Sequence, residues 1–329
     1  MPERHRCDAS ILRAVTSFSM PAEPKYSAPD PREVDPRTVR RAFSRAAATF
    51  DAAAIVHREV GARMAQRLDY IKLAPLTILD AGCGSGGAIG ELALHYPSAR
   101  IVGLDAAVPM LMAARQRVRG SRSMLRRLLA PLMPHANGLP PSFVCADMTL
   151  LPLRGVAFDL VWSNLALLWA NDLPRVLAEF RRVLTVGGLL TFTTLGPDTL
   201  KELRAAFLRA DGHTHTNRFI DMHDVGDMLI EAGFADPVMD MEQLTLTYAE
   251  PRALLDELKA VGASNATRGR PRGLMGRARW QRMLAALERM RRDGRVPATF
   301  EIIYGHAWKG EPKQTAEGHA IVKLQRKKR

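Results

Sequence analysis

Apolar positions in this chain change their period as it runs. After Pro36, the residues Val39, Ala42, Phe43, Ala46 and Ala47 recur at intervals of three and four, and Phe50 extends the face, which predicts an amphipathic helix. A second helix is predicted from about Ala53 to Leu68. The pattern then shortens. Leu76–Asp80 is an apolar run of strand length that ends in the glycine-rich turn AGCGSGG, and helical spacing returns over Ala88–Leu94. Arg100–Asp105 and Pro109–Arg117 repeat the strand-then-helix order. Further strands are predicted at Ser142–Ala146, Phe158–Ser163 and Gly188–Thr194, with a helix at Leu173–Leu184 between the last two. Downstream come helices at Asp198–Ala210, His223–Ala232 and Pro251–Val261, and strands at Val238–Tyr248 and Phe300–Trp308. Strands alternating with helices make βαβ units, and right-handed crossovers place helices on both faces of a mostly parallel sheet. The fold class is therefore α/β.

Four stretches escape the pattern. Residues 1–36 are rich in proline and charge and read as an irregular N-terminal arm. Residues 120–141 look like an insertion, with an Arg/Leu helix followed by Pro131, Pro134, Gly138, Pro140 and Pro141. Residues 266–296 form a basic segment, and 311–329 a basic C-terminal tail. The expected organisation is one domain over 37–310, carrying the insertion and the basic segment. A length of 329 residues suits one large α/β domain with additions. No stretch approaches the roughly 18–20 apolar residues that a membrane span needs. The first 20 residues have no apolar core of signal-peptide length, and Met20 offers a second start. Cys7, Cys83 and Cys145 are widely spaced, which fits a reducing, cytoplasmic setting better than a disulfide framework or zinc ribbon.

Charge adds a local feature. The net charge is +13, and residues 266–329 alone hold 17 basic and 5 acidic side chains. The rest is nearly neutral, yet Arg115, Arg117, Arg119, Arg122, Arg126 and Arg127 cluster without an acid among them. Such local basicity points to an acidic partner.

The glycine-rich turn carries the chemistry. A turn that a ligand approaches at the backbone favours residues without a Cβ. Gly82, Gly84 and Gly87 fit the dinucleotide pattern G-x-G-x-x-G, whereas Gly82, Gly84 and Gly86 with Asp80 fit D-x-G-x-G-x-G. The carboxylate separates the two. A negative side chain in the turn repels a pyrophosphate, but it suits the sulfonium and α-amino charges of S-adenosylmethionine (SAM). Asp105 ends the next strand, where an acid can hold ribose hydroxyls. Asp147, followed by Met148, ends the third, where a side chain can reach an adenine amino group. Three acids after three successive strands converge on one crevice at the carboxyl edge of the sheet.

The runs LDAGCGSG, IVGLDAAVPML, CADMTLLPL, FDLVWSNLALLW and VLTVGGLLTFTTLGPDTLKELR resemble, in order, the class I SAM-dependent methyltransferases. The resemblance covers about residues 39–262. It implies a seven-stranded Rossmann-like sheet in the order 3-2-1-4-5-7-6, the last strand antiparallel, with N-terminal helices and insertions. It also implies SAM as cofactor, held by Asp80, Gly82, Gly84, Gly86, Asp105, Asp147, Met148 and Asn164. A narrower resemblance rests on Ser163–Trp169, Leu195–Leu200, Phe219–Val225, Pro237–Asp240, Leu244–Tyr248 and Leu258–Asn265. These runs are similar to the malonyl-acyl-carrier-protein O-methyltransferases of biotin synthesis, which esterify the free carboxylate of a malonyl thioester. A related branch of mitochondrial complex I assembly proteins, linked to arginine hydroxylation, shares some of the same runs.

A malonyl carboxylate is already ionised at neutral pH and needs no general base. The enzyme must instead align oxygen, methyl and sulfur and exclude water. The substrate carboxylate needs a cation, and Arg204 and Arg218 are the candidates, with His213 and His215 nearby. Asn164, Leu165, Trp169 and Phe43 are expected at the pocket, and Phe50 and Asp51 in a lid-like N-terminal segment. No metal site is expected from His213 and His215, for want of a third ligand at suitable spacing. An acidic acyl carrier protein is the expected partner, docking on a basic rim formed by 115–127 and 268–295. Nucleic acid fits less well. Aromatics are only 6% of the chain and, Trp280 apart, nearly absent from the basic stretches, and Ser163-Asn-Leu-Ala166 stands where an amino-methylating NPPY-type motif would be.

Overall fold

The computed structural model describes residues 30–129, 140–213, 215–271 and 273–311, with the side chains of 121–129 left aside. The expectations for 1–29, for 130–139 of the insertion and for the tail from 312 lie outside the described residues, as do the side chains of Arg122, Arg126 and Arg127.

Seven strands form one sheet: β1 (Thr77–Ala81), β2 (Arg100–Asp105), β3 (Ser142–Cys145), β4 (Phe158–Ser163), β5 (Leu184–Leu195), β6 (Ala235–Tyr248) and β7 (Val296–Trp308). Their order is β3-β2-β1-β4-β5-β7-β6. The first five run parallel, and β7 lies antiparallel between β5 and β6. This is the order that the family resemblance implies.

Alternation along the strands sorts side chains to two faces. Ile78, Leu160, Trp162 and Leu189 pack with Val60 and Met64 of α3 (Ile55–Leu68) on one face. Leu79, Ala81, Val161 and Phe192 pack on the other with Val176 and Phe180 of α6 (Leu173–Val183) and Val225 of α8 (Met222–Glu231). Buried on both faces, the central strands read as near-continuous apolar runs.

The structure shifts several boundaries. The first predicted helix divides into α1 (Pro36–Ala46) and α2 (Phe50–Ala53), separated by a turn in which the Thr49 hydroxyl bonds the carbonyls of Ala46 and Ala260. Helix α4 (Gly87–His95) follows the glycine-rich turn. Helix α5 (Val108–Leu129) continues into the expected insertion, because Gly120 alone weakens a helix without ending it. Helix α7 (Lys201–Leu208) starts late, after Leu200 takes a left-handed conformation with φ 55°. Helix α9 (Pro251–Ala260) lies as expected. The basic segment contains α10 (Arg277–Glu288), whose Met283, Ala286 and Leu287 are buried; the arginines mask this apolar stripe in the sequence.

The described end of the arm, 30–35, has no helix or strand but is tied down by hydrogen bonds. Val34 forms an antiparallel bridge with Thr267. The amides of Asp35, Arg268 and Gly269 donate to the carbonyls of Ala266, Glu33 and Pro31. Asn171 brackets Val34, accepting from its N–H and donating to its carbonyl, each at 2.9 Å.

Candidate active site

The turn between β1 and α4 lies at the carboxyl edge of the sheet, with its glycines serving different ends. Gly82 has φ +80°, and a Cβ there would stand 2.3 Å from the Ala166 Cβ. Packing against the β4 loop therefore requires Gly82, whereas the sequence alone suggested ligand approach. Gly84, with φ +51°, is less crowded: a Cβ there would meet only Phe50 Cε1, at 4.0 Å. Gly86 caps the start of α4.

The three acids differ in their surroundings. Asp80 is 2% exposed, and its Oδ2 is buried without a hydrogen-bond partner. Burial, with the charge of Asp105 added, pushes its carboxyl up to about 8. Asp105 accepts the Gly84 N–H at 3.0 Å and the Ala107 N–H at 2.7 Å. Burial raises its carboxyl, and these backbone donors partly offset that. Asp147 is exposed and closes its own turn, accepting from the Thr149 N–H at 2.8 Å and hydroxyl at 2.7 Å. Met148 stands beside Gly82, its Sδ 3.9 Å from where a Cβ would lie.

Both ends of the Asn164 side-chain amide hydrogen-bond to the protein. It donates to the His57 carbonyl at 2.9 Å and accepts the Thr193 hydroxyl at 2.7 Å, which pins β4, β5 and α3 together. Leu165 follows in a left-handed conformation (φ 49°), held by bonds from its N–H to Thr193. A non-glycine residue held there is strained, and such strain collects at functional sites. The N-terminal segment covers the turn. The Ser85 hydroxyl donates to Asp51, and Asp51 also pairs with Arg117. Phe43 meets Trp169 edge-on at 5.2 Å between ring centroids, and Phe50 meets His57 at 5.0 Å.

Beside this turn opens a cavity of about 280 Å³. Leu165, Leu168, Trp169, Leu200, Phe207 and Leu258 give it mostly apolar walls, and His57, His215, Asn217 and Glu257 supply polar groups. Leu165 and Trp169 are thus pocket residues. Phe43 backs Trp169 from outside, and Asn164 lies behind the wall. Neither Arg204 nor Arg218 lines the cavity: Arg204 donates to the Pro197 carbonyl, and Arg218 is exposed. Sequence reasoning missed His57, Asn217 and the wall formed by 258–265. That last run stood within the family resemblance, but nothing in its residue types marked it as lining a cavity. Among the described residues, no group of three or more His, Cys, Asp or Glu is placed to hold a metal ion. No helix among them is long and apolar enough to cross a membrane.

The residues present fit a cationic nucleoside ligand: the buried Asp80 carboxyl has an oxygen without a partner, and a Cβ at Gly84 would meet only Phe50 Cε1, at 4.0 Å. Residues 79–192 match the family model for a methyltransferase domain. Among curated proteins, the chain is 52% identical over 290 residues to the malonyl-[acyl-carrier protein] O-methyltransferase of Gallionella capsiferriformans, covering 88% of this chain and 96% of the relative. It is 56% identical over 275 residues to that of Laribacter hongkongensis, covering 84% and 90%. In fold it resembles a Bacillus halodurans protein of known structure (TM-score 0.53, 18% identity, 75% of this chain and 99% of the other).

Proposed function

As a chain that belongs to the malonyl-[acyl-carrier protein] O-methyltransferase family, the protein, we propose, joins a methyl group to the free carboxylate of a malonyl thioester at the cavity beside the glycine-rich turn. It is a SAM-dependent carboxyl O-methyltransferase. The observation that carries the site assignment is the buried Asp80 carboxyl oxygen without a hydrogen-bond partner, at the strand end that opens the glycine-rich turn. SAM bound there supplies a methyl group on a positively charged sulfur.

The chain's own residues do the rest by position. Asp80 offers negative charge where a cation must lie, and Asp105 and the Gly84 N–H shape the crevice beside it. Asp147 and Met148 flank its far side. Leu165, Leu168 and Trp169 wall the approach and keep water from the reacting oxygen. No residue needs to remove a proton, because the attacking carboxylate is ionised at neutral pH. Alignment alone supplies up to roughly 7–11 kcal/mol in favourable cases.

The finer assignments rest on the same reading. The acceptor is a malonyl group on an acidic acyl carrier protein, and the reaction serves an early step of biotin synthesis in the cytoplasm. The unit that performs it runs from 37 to 310. The arginines of 115–127 and 268–295 support docking of an acidic carrier, by steering encounter. Incubation with SAM and malonyl carrier protein should add one methyl group that an esterase removes, as read by mass spectrometry. Acetyl carrier protein, which lacks a free carboxylate, should gain none. Equal labelling of both carriers, or label on arginine side chains, would overturn the assignment.

A further inference from the structure

A largely apolar cavity that admits a carboxylate must meet its charge with a donor, since an ion taken from water without one is strongly disfavoured. Three basic side chains line the wall: His57, His215 and Lys259. His57 packs edge-on to Phe50, and burial, together with the charge of Arg58, pushes it down to about 4, so it is neutral at neutral pH. Lys259 is exposed, where water already solvates its ammonium.

His215 is built differently. Its ring lies flat on Phe207, with centroids 3.9 Å apart and planes 9° from parallel. Its Nε2 meets Asp211 Oδ1 at 2.7 Å, and the two side chains are only 11% and 8% exposed. The same Asp211 oxygen also accepts the His213 N–H at 3.0 Å. Burial raises the Asp211 carboxyl, but the His213 N–H and His215 outweigh it and hold the group below the usual carboxylate range. Asp211 is therefore an anion at neutral pH. It orients the ring and favours a proton on Nε2. The other ring nitrogen, Nδ1, has no hydrogen-bond partner among the described residues. Two residues on, Asn217 uses its Oδ1 to accept the Ala266 N–H at 3.2 Å, which leaves its Nδ2 without a partner among them. Neither nitrogen is among the sealed, unpartnered polar atoms of the interior. An imidazole held by a carboxylate and an amide nitrogen thus stand two residues apart on one cavity wall.

Resting on the reading of the site as a carboxyl methyltransferase, we propose that His215, held by Asp211, and the Asn217 amide bind the substrate carboxylate, the role that the sequence assigned to arginine. His215 touches the substrate, and Asp211 is a positioning residue. No covalent step is involved: held between two carboxylates, the ring binds as the imidazolium, giving Nε2–H to Asp211 and Nδ1–H to the substrate, and the Asn217 Nδ2–H adds a second donor while the carboxylate is presented to the methyl group.

Binding of malonyl and acetyl carrier protein to the full-length chain isolates this contact, because the two ligands differ only in the carboxylate. The parent should bind the malonyl form more tightly. His215→Phe keeps the stack on Phe207 and removes both ring nitrogens. It should weaken malonyl-carrier binding at least tenfold and leave acetyl-carrier binding within twofold. Asp211→Asn should lower the preference in the same direction by less. SAM affinity and the melting temperature report whether each variant is folded, and His215→Gln replaces His215→Phe if the latter is not. Lys259→Ala should leave the preference unchanged. The proposal falls if the parent shows no preference, if both carriers weaken together in His215→Phe, if neither weakens, or if Lys259→Ala abolishes the preference instead. Turnover is read separately. A parent that prefers the malonyl form but transfers no methyl would overturn the proposed function and leave this contact standing.

Discussion

The Asp51 carboxylate accepts the Ser85 hydroxyl through Oδ1 and holds Arg117 through Oδ2, each at 2.5 Å, so one side chain ties α2 to the glycine-rich turn and to α5. The two bonds differ in worth. Ser85 is 2% exposed, and leaving its hydroxyl unpaired costs about 1–3 kcal/mol. The Arg117 pair has both ends at least two-fifths exposed, where such pairs contribute about 0–1 kcal/mol. Asp51→Ala should therefore weaken SAM binding several-fold, with Arg117→Ala close to the parent. Titration calorimetry on the two variants checks this, and equal losses would refute the ranking.

Asp80 makes cofactor binding depend on pH. Its folded carboxyl is raised from 3.8 to about 8, burial being the main cause. Between those values, the folded chain keeps a proton that the unfolded chain has released. The ligand-free protein thus holds this contribution fully below about pH 4 and loses it as pH climbs through about 8. A cation beside Asp80 favours the ionised form, so SAM binding near neutral pH should release close to one proton. Calorimetry in two buffers of different ionisation enthalpy measures it. Affinity should rise from pH 6 to 9, and Asp80→Asn should bind more weakly and lose the slope. A parent that releases no proton would contradict the charge assignment.

The glycines separate stability from binding. Gly82→Ala drives a Cβ to 2.3 Å from Ala166 at φ +80°, so it should destabilise the fold by about 2 kcal/mol or more, as core overpacking does. Gly84→Ala meets only Phe50 at 4.0 Å, and its main cost without ligand is the φ of +51°, about 1 kcal/mol. Its methyl stands on the turn proposed to hold the cofactor, so SAM affinity should fall further than stability does. Thermal melts with and without SAM test this, and an inverse ranking would reverse the roles of the two positions.

The alternation of strands and helices and the acids that close the first three strands were legible because both are local, whereas the strand order came from the family resemblance. Apolar runs of strand length, each closed by Asp80, Asp105 or Asp147, place three acids at one sheet edge whatever the rest of the chain does. The cavity was not legible in the same way. Its wall joins His57 of α3, Leu200 before α7, His215 of a loop and Leu258 of α9, which no period or spacing connects. Arg204 and Arg218 were chosen for charge, and charge does not report direction: one bonds a neighbouring carbonyl and the other faces water. Helix α10 was hidden for the opposite reason. Its three arginines crowd the first half of the helix and mask the three buried positions that make it a packed helix.

The strap at the end of the arm yields a prediction that separates support from chemistry. Asn171 satisfies both backbone groups of Val34, which is 5% exposed, and Val34 is bridged to Thr267. The segment beyond that bridge, Ser264 and Asn265, lines the cavity. Asn171→Ala removes an acceptor and a donor at once. Val34 is buried but Asn171 is exposed, so the two stranded groups cost up to about 1–3 kcal/mol each. For a domain of this size, each kcal/mol lowers Tm by about 2–4 °C. Asn171→Asp keeps the acceptor for the Val34 N–H and loses the donor, so it should fall between parent and alanine variant. The cofactor turn lies on other elements and shares no hydrogen bond with Asn171, so SAM affinity should stay within about twofold in both. The KM for the carrier substrate should rise as 264–267 loosens. Calorimetric melts and steady-state kinetics on the three proteins decide it. If Asn171→Ala melts with the parent, the strap does not hold the wall. If SAM affinity falls as far as substrate affinity, its effect spreads through the whole domain.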